Sequence, residues 1–346
     1  MIHLKANKTT IKDVALKAGI SVTAVSLILN GKGERFSSET KRKVHQAQLE
    51  LDYYPDYYAR GLVGQRNNSI GVVIPNIKNP FFSSLALSIE QAAIPKGYFP
   101  QIFSVNGFKE NIDYFIEQFA SGTQKGLVLA APGASKEIVD KLSIHNDIPM
   151  VLTDQADLNT DDDRVLIAEE KSGKEIAHYL LSLGHKRVAF VIPRKLTMNL
   201  VKRFTGYTEA FIEYGLEVSE DLIFRTDFGP EGGVKAAKEI IKTDATAIIA
   251  INDDVAMGVF KGLHSLGKSV PGDYSIVGFD DFNLNKYLIP SLTTMAQPIE
   301  LIGQKIVELM IERIQYPNRP SKRIVLDTKL KIGDSTRQIN EGGRVL

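Results

Sequence analysis

Apolar positions in the first fifty residues recur with a helical period. Ile11, Val14, Ala15 and Ala18 stand at i, i+3, i+4 and i+7, one face of a helix. Gly19 follows, a residue free to take the positive φ that a sharp turn needs, and Ser21 is a good N-cap for a second helix. That helix turns Val25, Ile28 and Leu29 inward and Val22, Thr23, Ser26 and Leu27 outward. Its outer face is short-chained and uncharged where a solvated helix would carry Glu and Lys. Ala15, Gly19 and Val25 have the spacing of a helix-turn-helix unit, and a helix so slim fits a DNA major groove. A third helix is predicted from Ser38 to Leu51, capped by Ser37 or Ser38. Val44, Ala47, Gln48 and Leu51 form its inner side, and Lys41, Arg42 and Lys43 near its start suit phosphate contacts. Pro55 ends it. Asp56 caps a short helix through about Val63, which Gly61 and Gly64 leave marginal on its own.

After Ser69 the texture changes. Short apolar runs, "IGVVIP", "PQIFSV", "GLVLAAP", "IPMVLTD", "RVAFVIP", "AIIAIND" and "YSIVGFDD", are bounded by turn residues and read as strands. Helical patterns lie between them, at Phe82–Ile94, Lys109–Gly122, Ser135–His145, Ser172–Leu183, Leu200–Tyr214, Gly232–Lys242 and Val255–Leu266. Strand alternating with helix predicts parallel sheets covered on both faces. Two sets fit, breaking near Asp161-Asp162-Asp163.

Charge changes the picture for one end of the chain. The protein of 346 residues has a net charge of +1, yet residues 1–66 hold eleven Lys and Arg against six Asp and Glu. A basic small segment joined to a mildly acidic large one fits contact with a polyanion, although a solvated basic surface would look the same on charge alone. There is no cysteine, which excludes disulfides and thiolate metal sites. With no signal-like stretch and no membrane-length apolar run, the chain is expected to be cytoplasmic. None of the G-x-S-x-G, H-E-x-x-H, P-loop or G-x-G-x-x-G motifs occurs, and the six histidines include no pair at metal-ligand spacing. Neither an enzymatic activity, a metal nor a cofactor is expected.

Open α/β sheets bind ligands beyond the carboxyl ends of their strands. Residues there are Asn79, Phe81 and Phe82, then Asp154 and Gln155, then Asn252 and Asp253, then Asp280; Arg203, Phe228 and Gln297 join them from loops or helix starts. Aromatic faces beside carboxylate, guanidinium and amide groups are what a sugar needs, since its C–H faces stack on rings and its hydroxyls take charge-assisted hydrogen bonds. Each has a plainer alternative: one of Phe81 and Phe82 in the core, Asn252 or Asp280 as a cap, and Arg203 paired with an acid.

"TTIKDVALKAGISVTAVSLILNG", "SSETKRKVHQAQLELDYYPDYYARGL" and "IGVVIPNIKNPFF", in this order, resemble the lactose-repressor (LacI/GalR) family of bacterial transcription regulators, from about Thr9 to Gly333. The resemblance implies an N-terminal all-α helix-turn-helix domain (1–54), a hinge helix and linker (55–67), and a two-lobed α/β domain of periplasmic-binding-protein type with parallel sheets (68–346). Lobe one would span about 68–163 and 298–325, and lobe two about 164–297 and 326–340. Val22, Thr23 and Ser26 are implied to face base edges and Ser21 to touch phosphate. Leu62 on the hinge is implied to wedge into the minor groove, and Thr10, Leu27, Asn30, Tyr58 and Ala59 complete the expected DNA-contacting set. Leu27 departs from the arginine that many members carry to read guanine. Asn79, Phe81, Phe82, Asp154, Arg203, Phe228, Asn252, Asp280 and Gln297 resemble the ligand set of ribose-binding proteins and ribose repressors, with Gln155 where those carry arginine. The expected partners are pseudo-palindromic double-stranded operator DNA, a small sugar effector such as ribose and a second copy of the chain in a homodimer, with no membrane. Two alternatives stay open: a regulator tightened on DNA by a corepressor (a purine or a phosphorylated carrier protein), and a sugar carrier.

Overall fold

The computed structural model describes residues 9–29, 31–53, 68–105, 112, 114–115, 119, 124–131, 148–153 and 160–339. The chain divides into two compact units, residues 1–67 and 68–346.

In the first unit, α1 (Ile11–Ala18), α2 (Val22–Leu29) and α3 (Ser38–Glu50) enclose a small core of Val14, Ala15, Val25, Ile28, Val44, Ala47 and Tyr53. Gly19 ends α1 at φ 68, and Ile20 N–H reaches back to the Ala15 carbonyl at 3.2 Å, the left-handed helix stop that glycine favours. Two serines start the next helices: Ala24 N–H donates to Ser21 Oγ at 3.2 Å and Thr40 N–H to Ser37 Oγ at 3.2 Å. Leu29 is half-buried rather than buried, and Ala24 takes a buried place beside Val25.

The second unit holds two six-stranded sheets. The first has the order β11-β5-β4-β3-β1-β2, all parallel: β1 Ser69–Ile74, β2 Phe99–Ser104, β3 Gly126–Leu129, β4 Met150–Leu152, β5 Asp163–Ile167 and β11 Arg323–Leu326. The second runs β12-β10-β9-β8-β6-β7, with β6 Val188–Pro193, β7 Ile223–Thr226, β8 Ala247–Ala250, β9 Ser275–Asp280, β10 Thr293–Ala296 and an antiparallel β12, Lys329–Lys331. Alternation along the strands of the first sheet feeds two cores. Ile70, Val72, Ile74, Val128 and Val151 face α4 (Pro80–Ala93) and α9 (Ile299–Gln315), while Val73, Leu127, Leu129, Met150 and Leu152 face Ile112 and Phe119. Side chains on opposite faces of a pleated strand require cover on both sides.

Around the second sheet, α5 (Glu169–Ser182) packs against α6 (Met198–Glu213), and α7 (Pro230–Ile240) against α8 (Asp253–Ser265). Glycine makes the first pairing possible. A Cβ on Gly173 would lie 2.1 Å from the Arg203 carbonyl oxygen, and one on Gly206 2.0 Å from that of Glu170, so the two backbones touch.

The expected lobe break near Asp161–Asp163 is displaced. β5 begins at Asp163 and pairs with β4 and β11, so the first crossing follows Ile167. The chain crosses again after β10 and after β11. Asp163 holds β5 in the first sheet: its carboxylate, with a fully buried side chain, takes Arg313 Nε at 2.9 Å and Arg319 Nη2 at 2.7 Å. Helix 135–145 lies outside the described residues, as does most of helix 109–122.

Candidate functional site

The exposed side of α2 begins at Ser21, Val22 and Thr23; Ser26 and Leu27 on the same helix are half-buried. The helix contains no charged side chain. Thr10 is exposed at the start of α1, where its backbone N–H and its hydroxyl both donate to Asp13 Oδ2, at 2.8 and 2.7 Å. On α3, Arg42 and Lys43 are exposed, with Lys43 held to Glu39 at 2.9 Å. An uncharged helix face with cations on a neighbouring helix is an arrangement suited to base edges on one side and phosphates on the other. Asn30, Tyr58, Ala59 and Leu62 lie outside the described residues.

In the second unit, Arg203, Asp280 and Gln297 come together. Arg203 projects from the first turns of α6 and is 3% exposed. Its Nε and Nη2 donate to the two oxygens of Glu169 at 2.8 and 3.2 Å, and Nη1 donates to the Ile251 carbonyl at 2.7 Å. The guanidinium carbon lies 3.3 Å from the centre of the Phe279 ring, a stacked cation–π contact. Burial works against the charge, but the attraction of Glu169 outweighs it and raises the Arg203 pKa. Sequence alone leaves Arg203 paired with an unspecified acid; the partner is Glu169, equally buried and in the first turn of α5.

Asp280 ends β9 with φ 114, and Asp281 follows at φ 61. Successive positive φ values in non-glycine residues store strain of the kind that clusters at binding sites. Two neighbours hold this bend. Gln297 Nε2 donates to Asp280 Oδ1 at 2.6 Å. Asp253, at the start of α8, accepts from Phe282 N–H at 3.1 Å, Asn285 Nδ2 at 2.5 Å and Thr294 Oγ1 at 2.7 Å. Burial, and then the nearby Asp253 carboxylate, push the Asp280 pKa well above the usual carboxylate range, against the pull of Arg203 and Gln297. Burial likewise lifts Asp253 to about 6, against the hydrogen bonds it accepts from Thr294, Asn285 and the backbone of Phe282 and Asp281. Asp280 is thus a ligand-facing candidate and not a helix cap, while Asp253 anchors the loop that presents it. Tyr207, one turn along α6 from Arg203, is also buried, and its hydroxyl has no partner among the described residues.

The remaining expected residues divide. Phe81 is core: it belongs to the stripe Phe81, Leu85, Ile89, Ala93 that α4 turns to the sheet, and Phe82 meets it edge-on at 5.0 Å, half-buried. Asn79 caps α4 through Phe81 N–H at 2.9 Å, and its Nδ2 reaches Asp254 Oδ2 on α8 at 3.5 Å, linking the two lobes. Asn252 caps α8, accepting from Val255 N–H at 3.0 Å. Phe228 is 55% exposed on the loop between β7 and α7. Asp154 and Gln155 lie outside the described residues. Glu169, Tyr207 and Asp254 were not anticipated. Among the described residues no group of His, Cys, Asp and Glu has the geometry of a metal site, and no helix is long and apolar enough to cross a membrane.

Residues 10–56 match the family model for bacterial regulatory proteins, lacI family, and residues 177–336 match that for a periplasmic binding protein-like domain. The chain is 34% identical over 336 residues to the HTH-type transcriptional regulator DegA of Bacillus subtilis, covering 96% of this chain and 99% of that one. It is 30% identical over 334 residues to the HTH-type transcriptional repressor PurR of Vibrio campbellii, covering 96% and 99%. A solved LacI family transcriptional regulator from Enterococcus faecium with bound ribose is 30% identical and superposes with a TM-score of 0.74, covering 79% of this chain and 100% of that one. A helix-turn-helix unit followed in the same chain by a two-lobed α/β binding domain defines a DNA-binding transcription regulator that answers to a small-molecule effector. Within that class, the chain belongs to the LacI family, and it is a regulator rather than an enzyme.

Proposed function

We propose that this regulator is a repressor that binds a pseudo-palindromic operator as a homodimer in the cytoplasm and is released by a small sugar, with ribose the leading choice. The observation that carries the reading is the meeting of buried Arg203 and Asp280 with half-buried Gln297 at the carboxyl ends of the second-lobe strands. A guanidinium, a carboxyl and an amide in one site supply donors and acceptors to several hydroxyls at once. Leaving such groups unpaired costs about 1–3 kcal/mol each, so ligands lacking the matching hydroxyl are rejected. Phe82 and the exposed Phe228 offer apolar faces to the C–H side of a sugar ring. The Enterococcus relative with bound ribose supports the choice of ribose.

At the other end, Val22, Thr23, Ser26 and Leu27 read base edges, and Thr10 and Ser21 take phosphate. Asn30, Tyr58, Ala59 and the Leu62 wedge extend the contact to the hinge, residues 55–67. One unit reads too little sequence, because each good base contact discriminates by about 1–3 kcal/mol against roughly 10⁶–10⁹ competing sites. Two half-sites read by a two-fold dimer meet that need. Sugar closes the lobes, the paired hinges separate, and operator affinity falls.

Calorimetric titration of the full chain with pentoses, hexoses and purines, followed by gel shifts on a selected duplex, tests the proposal. It predicts that a pentose binds and weakens the duplex complex at least about tenfold. Binding confined to a purine, with a tightened complex, overturns it.

A further inference from the structure

We propose that Glu169 is a positioning residue that sets the charge preference of the cleft. By occupying the Arg203 fork, it makes the site select an uncharged polyhydroxylated ligand over the phosphorylated or carboxylated form of the same molecule. This deepens the sugar reading above and rests on it.

Arginine recognises phosphate and carboxylate through paired parallel N–H donors. In this protein that pair, Nε and Nη2, already faces a carboxylate of the chain itself, at 2.8 and 3.2 Å, and Asn199 Nδ2 steadies Glu169 Oε1 from the side at 3.3 Å. The Ile251 carbonyl takes a third N–H at 2.7 Å, and the Phe279 ring covers one face of the guanidinium. Of the five N–H groups of an arginine, two remain. An anionic ligand group that wanted the fork would have to displace Glu169. The backbone contacts at Gly173 and Gly206 oppose this, because they fix α5 against α6 at the turns that carry Glu169 and Arg203.

The surrounding charge points the same way. Asp280, Asp253 and Asp254 stand on the strand ends and helix starts of this lobe, and Asp280 and Glu169 both act electrostatically on Arg203. Because Glu169 pairs directly with the guanidinium at 2.8 Å, Arg203 offers little positive field to an incoming anion. A neutral polyol meets no such conflict. Its hydroxyls donate to Asp280 and accept from the two remaining N–H groups of Arg203.

The test is titration calorimetry on the full chain with ribose and ribose 5-phosphate, for wild type, Glu169→Gln and Glu169→Asp. The wild type is expected to prefer ribose by about 100-fold or more. Glu169→Gln, which frees the fork, should shrink that preference at least about tenfold, and Glu169→Asp, which keeps the charge, should retain most of it. A purely structural role would lower both affinities together and leave their ratio unchanged. The wild-type ratio needs no variant, so it decides even if Glu169→Gln fails to fold. Ribose 5-phosphate bound as tightly as ribose, or a ratio unmoved in a folded Glu169→Gln, overturns this inference alone. Failure of every sugar to bind overturns the sugar reading and this inference with it.

Discussion

Replacing Asp280 with Asn isolates the charge of the cleft from its shape. Asn is nearly isosteric, tolerates positive φ better than most residues, and keeps an oxygen for Gln297, whose amide lies 2.6 Å from Asp280 Oδ1. What it loses is the anion. Hydrogen bonds to charged groups are worth about 1.5–3 kcal/mol and those between neutral groups about 0.5–1.5. Above the raised Asp280 pKa, a sugar hydroxyl bound to the anion should therefore lose about 1–2 kcal/mol in the variant, a roughly 5–30-fold weaker complex, and below that pKa the two proteins should differ little. Stability should move the other way. Folding raises the Asp280 pKa, so this carboxyl favours the folded state fully below its unfolded pKa. That advantage is lost as the pH rises through the raised value, and Asn removes the loss. Sugar affinity in the wild type should rise with pH as Asp280 ionises, because the hydroxyls favour the anion, and the variant should flatten that profile. Calorimetry from pH 5 to 9, with thermal melts alongside, measures both. Wild-type sugar affinity in Asp280→Asn, or loss of operator binding, would refute the assignment.

Three further outcomes are expected. Asp253→Asn should remove part of the decline in stability between pH 4 and 6, since the folded carboxyl titrates at about 6 against an ordinary value of 3.8; Thr294 can turn its hydroxyl to accept, and urea melts at pH 4.5 and 7 would detect the change. Gly206→Ala should destabilise the ligand-binding unit by about 1–3 kcal/mol or more, because the new Cβ meets the Glu170 carbonyl at 2.0 Å; an unchanged melting temperature would contradict the close α5–α6 contact. Leu27→Arg should change the half-site preferred in a duplex selection, since arginine reads guanine where leucine offers only apolar contact; an unchanged consensus would remove Leu27 from the base-reading face.

What was legible in the sequence depended on burial. β1, β3, β4, β6, β8 and β9 are buried along their whole length, and each is a predominantly apolar run. The strands that sequence missed lack that signature for identifiable reasons. β7, β11 and β12 are edge strands with alternating or partial exposure. β5 opens on an aspartate that two arginines and the Lys322 N–H, all from distant segments, make tolerable inside. β10 buries Thr293 and Thr294 completely, with hydroxyls satisfied by Gly333 and Asp253. The expected helices begin two or three residues late. The observed starts are Pro80, Glu169, Met198, Pro230 and Asp253, and proline or an acidic residue opens four of the five. The same displacement hid Glu169, which falls ahead of the expected helix at Ser172. That Arg203, Asp280 and Gln297 meet was legible because strand ends in this architecture gather at one edge of the sheet. The clamp on Arg203 was not, since it depends on two glycines that let α5 and α6 touch, and neither marks itself locally.

The central claim is that occupancy of the cleft changes the grip of the first unit on DNA. Fluorescence anisotropy of a labelled, selected duplex, titrated with the full chain at fixed salt with and without saturating ribose, tests it most directly. The account predicts sequence-specific binding that weakens at least about tenfold when sugar is present. Identical binding curves with and without every sugar that calorimetry shows to occupy the cleft would contradict it.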